Sequence, residues 1–208
     1  MEWSWDVEFM KKFFLSASLA LSLVLSARAE VEIGEPAPDF TLKDSKDNTQ
    51  KLSAFSGKFV VLEWLNPECP FVKKQYSGGN MQKLQKEYTA KGVVWLSIIS
   101  SAPGKQGHRT GPHADADTKD KNASPTAVLL DPSGSVGQQF GAKTTPHIFI
   151  LNPEGKIIYM GAIDSIRSAN PEDCSKAENY VRQALDAALA GKPVPNPETK
   201  PYGCSVKY

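Results

Sequence analysis

Cysteine is scarce in this chain of 208 residues: there are three, Cys69, Cys174 and Cys204, and no two of them form a C-x-x-C pair. So few thiols exclude a disulfide-rich scaffold, and with three histidines and no paired Cys/His spacing the sequence offers no ligand set for a structural zinc ion. Charge of one sign is also missing. Against 24 Lys+Arg stand 23 Asp+Glu, so nothing points to nucleic acid or an anionic membrane surface as a partner. No repeat or low-complexity tract is present, and one domain is the simplest organisation. The apolar run Phe13 to Leu25 falls short of the roughly 20 residues that a membrane-spanning helix needs.

That short run has a different reading. Lys11 and Lys12 precede it and Ala27-Arg28-Ala29 follows it, which is the basic, apolar, small-x-small order of a secretory signal. Cleavage after Ala29 leaves Glu30 first; an uncleaved anchor is the alternative. The expected organisation is a signal peptide at 1–29, a folded domain at 30–191 and a proline-rich C-terminal tail at 192–208. The mature protein is then periplasmic or secreted, with no membrane association. Removing 1–29 takes away three basic and three acidic side chains, leaving 21 and 20, so the mature chain stays near neutral. In an oxidising compartment, an odd number of cysteines leaves at least one free, paired between chains, or reactive.

The most informative of the three is Cys69. Phe59 to Leu65 is a nearly continuous apolar run, as expected of a central strand covered on both faces. Asn66-Pro67 is a turn, and a helix is expected from Pro70 to Ala90, ending at Gly92. Proline suits the first helical turn because its missing N–H has no intrahelical partner there. The thiol therefore sits at a helix start, where free backbone N–H groups and the helix dipole favour the thiolate. The bland alternative is that Cys69 is a small apolar packing residue.

Residues 36–42 read as an edge segment tolerant of proline, and Val93 to Ile99 as a second buried strand. From Ser100 to Pro125 the chain is polar and too long for an ordinary connection, so a functional loop with a short helix is expected. Ala127 to Leu130 is a strand and Ser133 to Phe140 a short helix. His147 to Leu151 and Lys156 to Met160 flank Asn152-Pro153-Glu154-Gly155 and form a hairpin. Ala177 to Ala190 is an amphipathic helix. After it, Pro193, Pro195, Pro197 and Pro201 keep the tail extended. This order gives an α/β fold with a mixed central sheet flanked by helices.

Glu35-Pro36-Ala37-Pro38-Asp39-Phe40, the strand-to-Cys69-to-helix segment, and Thr144-Thr145-Pro146-His147 before the hairpin together resemble the redoxin branch of the thioredoxin superfamily. That branch includes the alkyl hydroperoxide reductase/thiol-specific antioxidant peroxiredoxins. The ending Pro201 to Tyr208 is similar to exported peroxiredoxin-like proteins. The resemblance implies a thioredoxin-like fold, a redox-active Cys69, and a cis proline at Thr145-Pro146 facing it. Three departures qualify it. Val72 stands where a thioredoxin-like oxidoreductase has its second cysteine, Asn66 where a peroxiredoxin has Thr or Ser, and Lys73 where a copper protein of the Sco type has a second Cys.

The reading that follows is an exported thiol-dependent peroxidase or thiol oxidoreductase, an antioxidant enzyme without metal or organic cofactor. Cys69 attacks a peroxide or disulfide, Thr145 and Pro146 shape the substrate edge, and an external thiol or thioredoxin-like reductant returns electrons. With no local partner, Cys204 is the candidate resolving thiol, carried back by the tail; a structural Cys174–Cys204 bond or free thiols are the alternatives. Arg109 and Arg167 are candidates for a cation beside the thiolate. His147 is a candidate neighbour of it, and His108 and His113 are loop residues. The competing class is a non-catalytic binding module, a thioredoxin fold that holds a partner protein or a metal.

Overall fold

The computed structural model describes Met1 and residues 31–208. The expected signal peptide and its cleavage site lie outside the described residues, Met1 apart. The domain is built on a seven-stranded sheet whose strands are β1 (Thr41–Asp44), β2 (Thr49–Lys51), β3 (Val60–Trp64), β4 (Val94–Ile99), β5 (Ala127–Leu130), β7 (His147–Leu151) and β8 (Ile157–Gly161). Their spatial order is β2-β1-β5-β4-β3-β7-β8. The neighbours β3, β4 and β5 run parallel, and the remaining pairs are antiparallel. This is the mixed α/β, thioredoxin-like arrangement that the element order implies.

Alternation along β3 divides the core. Val61 packs on one face with Cys69, Tyr76, Leu84, Trp95, Ile148 and Leu185, under the helices α1 (Pro70–Ser77), α2 (Asn80–Ala90) and α5 (Tyr180–Leu189). Leu62 and Trp64 pack on the other with Leu96, Ile98, Phe140 and Phe149. Each such side chain contributes about 1.5–3 kcal/mol on burial, so a strand covered on both faces anchors the sheet.

The structure corrects the sequence reading at two places. The helix expected from Pro70 to Ala90 is two helices, broken at Gly78-Gly79. Gly79 has a left-handed backbone, φ 71°, which costs an L side chain energy. Gly78 is crowded instead: a Cβ there would lie 2.8 Å from Cys174 Sγ and 2.9 Å from the Pro171 carbonyl oxygen, in the 3₁₀ turn Pro171–Ser175. The break lets that turn pack against the end of α1. The second correction concerns the edge. The strand near 36–42 is Thr41–Asp44 and lies one in from the edge, because Thr49–Lys51 folds back outside it. The Asp44 carboxylate closes that turn by accepting the N–H groups of Lys46 and Asn48, both at 2.9 Å.

The remaining elements follow the sequence pattern closely. The 100–125 segment carries α3 (Gly111–Asp120), and α4 is Ser135–Gln139. The tail runs extended beside β8, where Met160 N–H donates to the Pro197 carbonyl and Thr199 N–H to that of Met160. It ends as β9 (Cys204–Ser205), antiparallel to β6 (Thr144–Thr145), with Thr145 opposite Cys204.

Gly78→Ala must push back a backbone carbonyl and is expected to destabilise the fold by about 1–3 kcal/mol, as overpacking does. Chemical denaturation measures it. An unchanged midpoint would mean that the helix break does not depend on this contact.

Candidate active site

The turn between β3 and α1 is built by Asn66. Its side-chain oxygen accepts the Glu68 N–H at 2.9 Å, its Nδ2 donates to the Gln106 carbonyl at 3.1 Å, and its own carbonyl accepts the Cys69 N–H at 3.0 Å. Both halves of the amide are thus spent on the turn and on its tie to the 100–110 loop. Cys69 is the last extended residue, φ −66° and ψ 127°, with Pro70 opening α1. Its side chain is fully buried.

Two groups meet the Cys69 sulfur. The thiol donates to the Thr145 carbonyl at 3.1 Å, and the Cys204 sulfur lies at 2.8 Å. Thr145–Pro146 is a cis peptide. The three cysteines are free thiols, so no Cys174–Cys204 bond is formed. Burial alone would push the Cys69 thiol up. The Cys204 thiol, the backbone N–H groups of Val72 and Cys204 and the Thr145 hydroxyl outweigh it, and the result lies below the ordinary thiol value. Burial and the neighbouring Cys69 push Cys204 the other way, to about 11, against a smaller opposing effect of Lys207. When the pair holds one proton, that proton belongs to Cys204. In that singly protonated state Cys69 is the thiolate and Cys204 its hydrogen-bond donor, whereas the protonated Cys69 thiol donates to the Thr145 carbonyl.

The tail that delivers Cys204 is anchored by a buried network absent from the sequence reading. Lys74 Nζ meets both carboxylate oxygens of Asp164 at 3.2 and 3.0 Å, the Ile166 carbonyl at 2.7 Å and the Tyr202 hydroxyl at 3.2 Å. Asp164 also accepts from Gln75 Nε2 at 2.6 Å, from the Ile166 N–H at 3.0 Å and from the Tyr202 hydroxyl. Lys74 and Asp164 are almost wholly buried, and such a pair is tolerated only when its remaining donors and acceptors are satisfied. Tyr202 completes it from the tail, two residues before Cys204, while its ring meets the edge of Phe71 at 5.8 Å between centroids. Beyond Cys204, the Tyr208 hydroxyl donates to the Ala142 carbonyl at 2.8 Å, and the Lys207 carbonyl accepts the Ala102 N–H at 2.9 Å.

A second group missed from sequence is Glu63. It is fully buried in β3, and burial pushes its carboxyl up against four donors that pull it down, Trp95, Ser97, Tyr76 and Gln85. Trp95 Nε1 and Ser97 Oγ each stand 2.8 Å from Oε2, and the Tyr76 hydroxyl stands 2.9 Å from Oε1. A lone acid in an apolar central strand was the available signal.

Other candidates lie elsewhere. Arg109 holds Glu68 at 3.0 Å and Asp117 at 2.7 Å, fastening α3 to the turn before Cys69, and makes no hydrogen bond to the thiol. Arg167 and His113 are exposed, and His108 Nδ1 faces the Ser101 carbonyl at 3.0 Å. His147 lies in the other core cluster's layer, its ring 4.5 Å from that of Phe149, with Nδ1 accepting the Lys143 N–H at 3.3 Å. Burial, with Lys143 nearby, pushes it down to about 3, so it is neutral. Cys174 sits half-buried beside the Lys74 carbonyl at 3.6 Å, its thiol pushed up by burial. Among the described residues, no cluster of three His, Cys, Asp or Glu is placed to hold a metal ion.

Comparison with known proteins places this site in a family setting. The model of the AhpC/TSA family matches residues 33–160. The thioredoxin-like protein YneN of Bacillus subtilis is 29% identical over 136 residues, which is 64% of this chain and 74% of that protein. The thiol-disulfide oxidoreductase ResA of Halalkalibacterium halodurans is 24% identical over 150 residues, 72% of this chain and 73% of its own. An uncharacterized conserved protein from Geobacillus kaustophilus superposes with a TM-score of 0.74 at 27% identity, covering 86% of this chain and 94% of that one. A putative thiol:disulfide interchange protein DsbE from Chlorobium tepidum superposes with 0.51 at 26% identity, covering 63% and 85%.

Two outcomes follow from the geometry. Tyr202→Phe removes a charge-assisted hydrogen bond, about 1.5–3 kcal/mol, so the open tail is more populated and alkylation of Cys69 is about tenfold faster or more. Equal rates would show that the tail is not held there. Cys204→Ala removes the foremost influence holding the Cys69 pKa down, so the midpoint of its thiolate absorbance moves to higher pH. A midpoint unmoved, or moved to lower pH, contradicts the assignment of donor and acceptor.

Proposed function

This chain belongs to the AhpC/TSA family, and from that membership we propose an exported thiol-dependent peroxidase in which Cys69 is the nucleophile and Cys204 the resolving thiol. One observation carries the reading: two cysteines 135 positions apart in sequence face each other at 2.8 Å, with their acidities displaced in opposite directions. The thiol with the lowered pKa attacks as its thiolate; its partner stays protonated until it is needed.

The cycle uses this chain's own groups. The Cys69 thiolate forms a bond to one peroxide oxygen, the O–O bond breaks, and the second oxygen leaves as alkoxide or hydroxide and takes a proton from water. Cys69 is then a sulfenic acid. Cys204 attacks its sulfur, the S–O bond breaks, and the thiol proton leaves with the hydroxide as water. An external dithiol or a thioredoxin-like protein reduces the Cys69–Cys204 disulfide and is itself oxidised. Thr145 and Pro146 form the wall opposite Cys69. Because Cys69 is fully buried under the docked tail, the tail must lift to admit peroxide and return to resolve.

Export to the periplasm or outside the cell is inferred from the basic, apolar, small-x-small order of residues 1–29. Residues 30–191 then form the catalytic domain and 192–208 a strap over its thiol. A second reading, disulfide exchange, is favoured by the relatives named as thiol-disulfide oxidoreductases. In it Cys69 attacks a partner's disulfide, and Cys204 displaces the partner as a dithiol, leaving the same internal disulfide.

Dimedone separates the readings. In a Cys204→Ser variant treated with hydrogen peroxide, the peroxidase reading predicts a sulfenic acid adduct on Cys69. An alkylatable Cys69 that yields no adduct but reacts with disulfides supports exchange instead. Cys69→Ser is expected to abolish both activities while costing only about 1–3 kcal/mol of stability, so the variant stays folded. A folded Ser variant with wild-type turnover would overturn the assignment, and a wild-type chain with neither activity would leave a binding module.

A further inference from the structure

We propose that the Thr145 side-chain hydroxyl is the donor that holds the leaving oxygen of a peroxide against Cys69 once the tail has lifted, and that it thereby selects peroxide over disulfide. The proposal rests on the peroxidase reading. Its starting point is an unsatisfied atom: Thr145 is 2% exposed, and its Oγ1 is buried with no hydrogen-bond partner. Buried hydroxyls are rarely left so, and such an exception next to a reactive thiol points to a partner that arrives later.

The position of Thr145 points the same way. The Thr145 carbonyl accepts the Cys69 thiol at 3.1 Å, so this residue forms the wall facing the sulfur. Its backbone is pinned opposite Cys204 by the β6–β9 pairing. The hydroxyl lies close enough to the Cys69 sulfur to favour its thiolate. Cys204 touches Cys69 from the residue paired with Thr145, so its departure opens a space bounded by the nucleophilic sulfur and this hydroxyl.

The other donors nearby are committed. Both halves of the Asn66 amide serve the turn. The Thr144 hydroxyl donates to the Pro146 carbonyl at 2.9 Å. Arg109 is held by Glu68 and Asp117. The other orphaned buried side-chain atom among the described residues, Gln82 Oε1, is an acceptor and has the wrong polarity.

The chemistry fits a hydroxyl. As the thiolate electron pair forms the S–O bond and the O–O bond breaks, negative charge collects on the departing oxygen. Thr145 donates a hydrogen bond to that oxygen without giving up its proton, which water supplies. A preorganised donor aimed where charge develops stabilises the transition state. A departing thiolate sulfur accepts hydrogen bonds poorly, so the same donor does little for a disulfide.

The test uses Thr145→Val, which keeps the shape and loses the hydroxyl, and Thr145→Ser, which keeps the hydroxyl. In a Cys204→Ser background, the rate of Cys69 sulfenic acid formation with hydrogen peroxide and the rate with a small aromatic disulfide are followed across pH, and the limits for fully ionised thiol are compared. The valine variant is expected to lose about 100-fold with peroxide and to stay within about twofold with the disulfide, while serine restores the peroxide rate. Equal losses with both oxidants, no loss with either, or a serine variant as slow as valine would overturn the proposal. Thr145→Ala substitutes for valine should that variant misfold. A wild-type Cys69 that forms no sulfenic acid overturns the peroxidase reading and this proposal with it; a reactive wild type matched by the valine variant overturns the proposal alone.

Discussion

Two residues of antiparallel pairing, Thr144–Thr145 against Cys204–Ser205, decide whether the thiol of Cys69 meets solvent or another sulfur. With the strand in place, Cys69 is fully buried, its sulfur flanked by the Thr145 carbonyl and by Cys204. A strand so short has little stability of its own. Its placement depends on anchors at either side, Tyr202 before it and the Val206–Tyr208 contacts after it. The exposure of the Cys69 thiol is thereby tied to a piece of chain 135 positions away.

That dependence explains why a buried ion pair sits under the tail. Lys74 belongs to the helix that Cys69 opens, and Asp164 to the segment after β8; the Tyr202 hydroxyl touches both. When the tail lifts, the pair loses one of its hydrogen-bonding partners, so opening carries an energetic penalty on the order of a single charged hydrogen bond. Such a penalty favours the docked tail over the open one. In the proposed peroxidase cycle this cover shields the Cys69 sulfur from overoxidation beyond the sulfenic acid, and Cys204 returns in register for attack.

Much of this fold was legible because its elements are written locally. The apolar run ending at Trp64, the Pro70 helix start, the Asn152–Gly155 hairpin and the proline-rich tail each carry a short-range signal. Cys69 could be singled out for the same reason, as a thiol placed at a strand-to-helix junction. What escaped is largely tertiary. At Gly78-Gly79 a tertiary part, the crowding of Gly78 by Cys174 and Pro171 from far along the chain, adds to a local one, since the Gly-Gly pair is itself a turn signal that the helix reading passed over. The Lys74–Asp164 pair joins residues 90 positions apart, and no spacing rule connects them. His147 followed the alternation of its strand: its neighbour Ile148 packs in the thiol's cluster, while its own ring stacks with Phe149 in the other. The Asp44 turn and Glu63 did leave local marks, a cluster of Asp, Ser and Asn in one case and a single acid among valines and leucines in the other.

The most direct test of the whole account is a disulfide map of the protein after one equivalent of hydrogen peroxide, taken by mass spectrometry under conditions that trap free thiols. A single new bond between Cys69 and Cys204 is expected, with Cys174 recovered as a free thiol. A Cys174–Cys204 bond, or a Cys69 oxidised to the sulfinic acid with Cys204 still free, would contradict it.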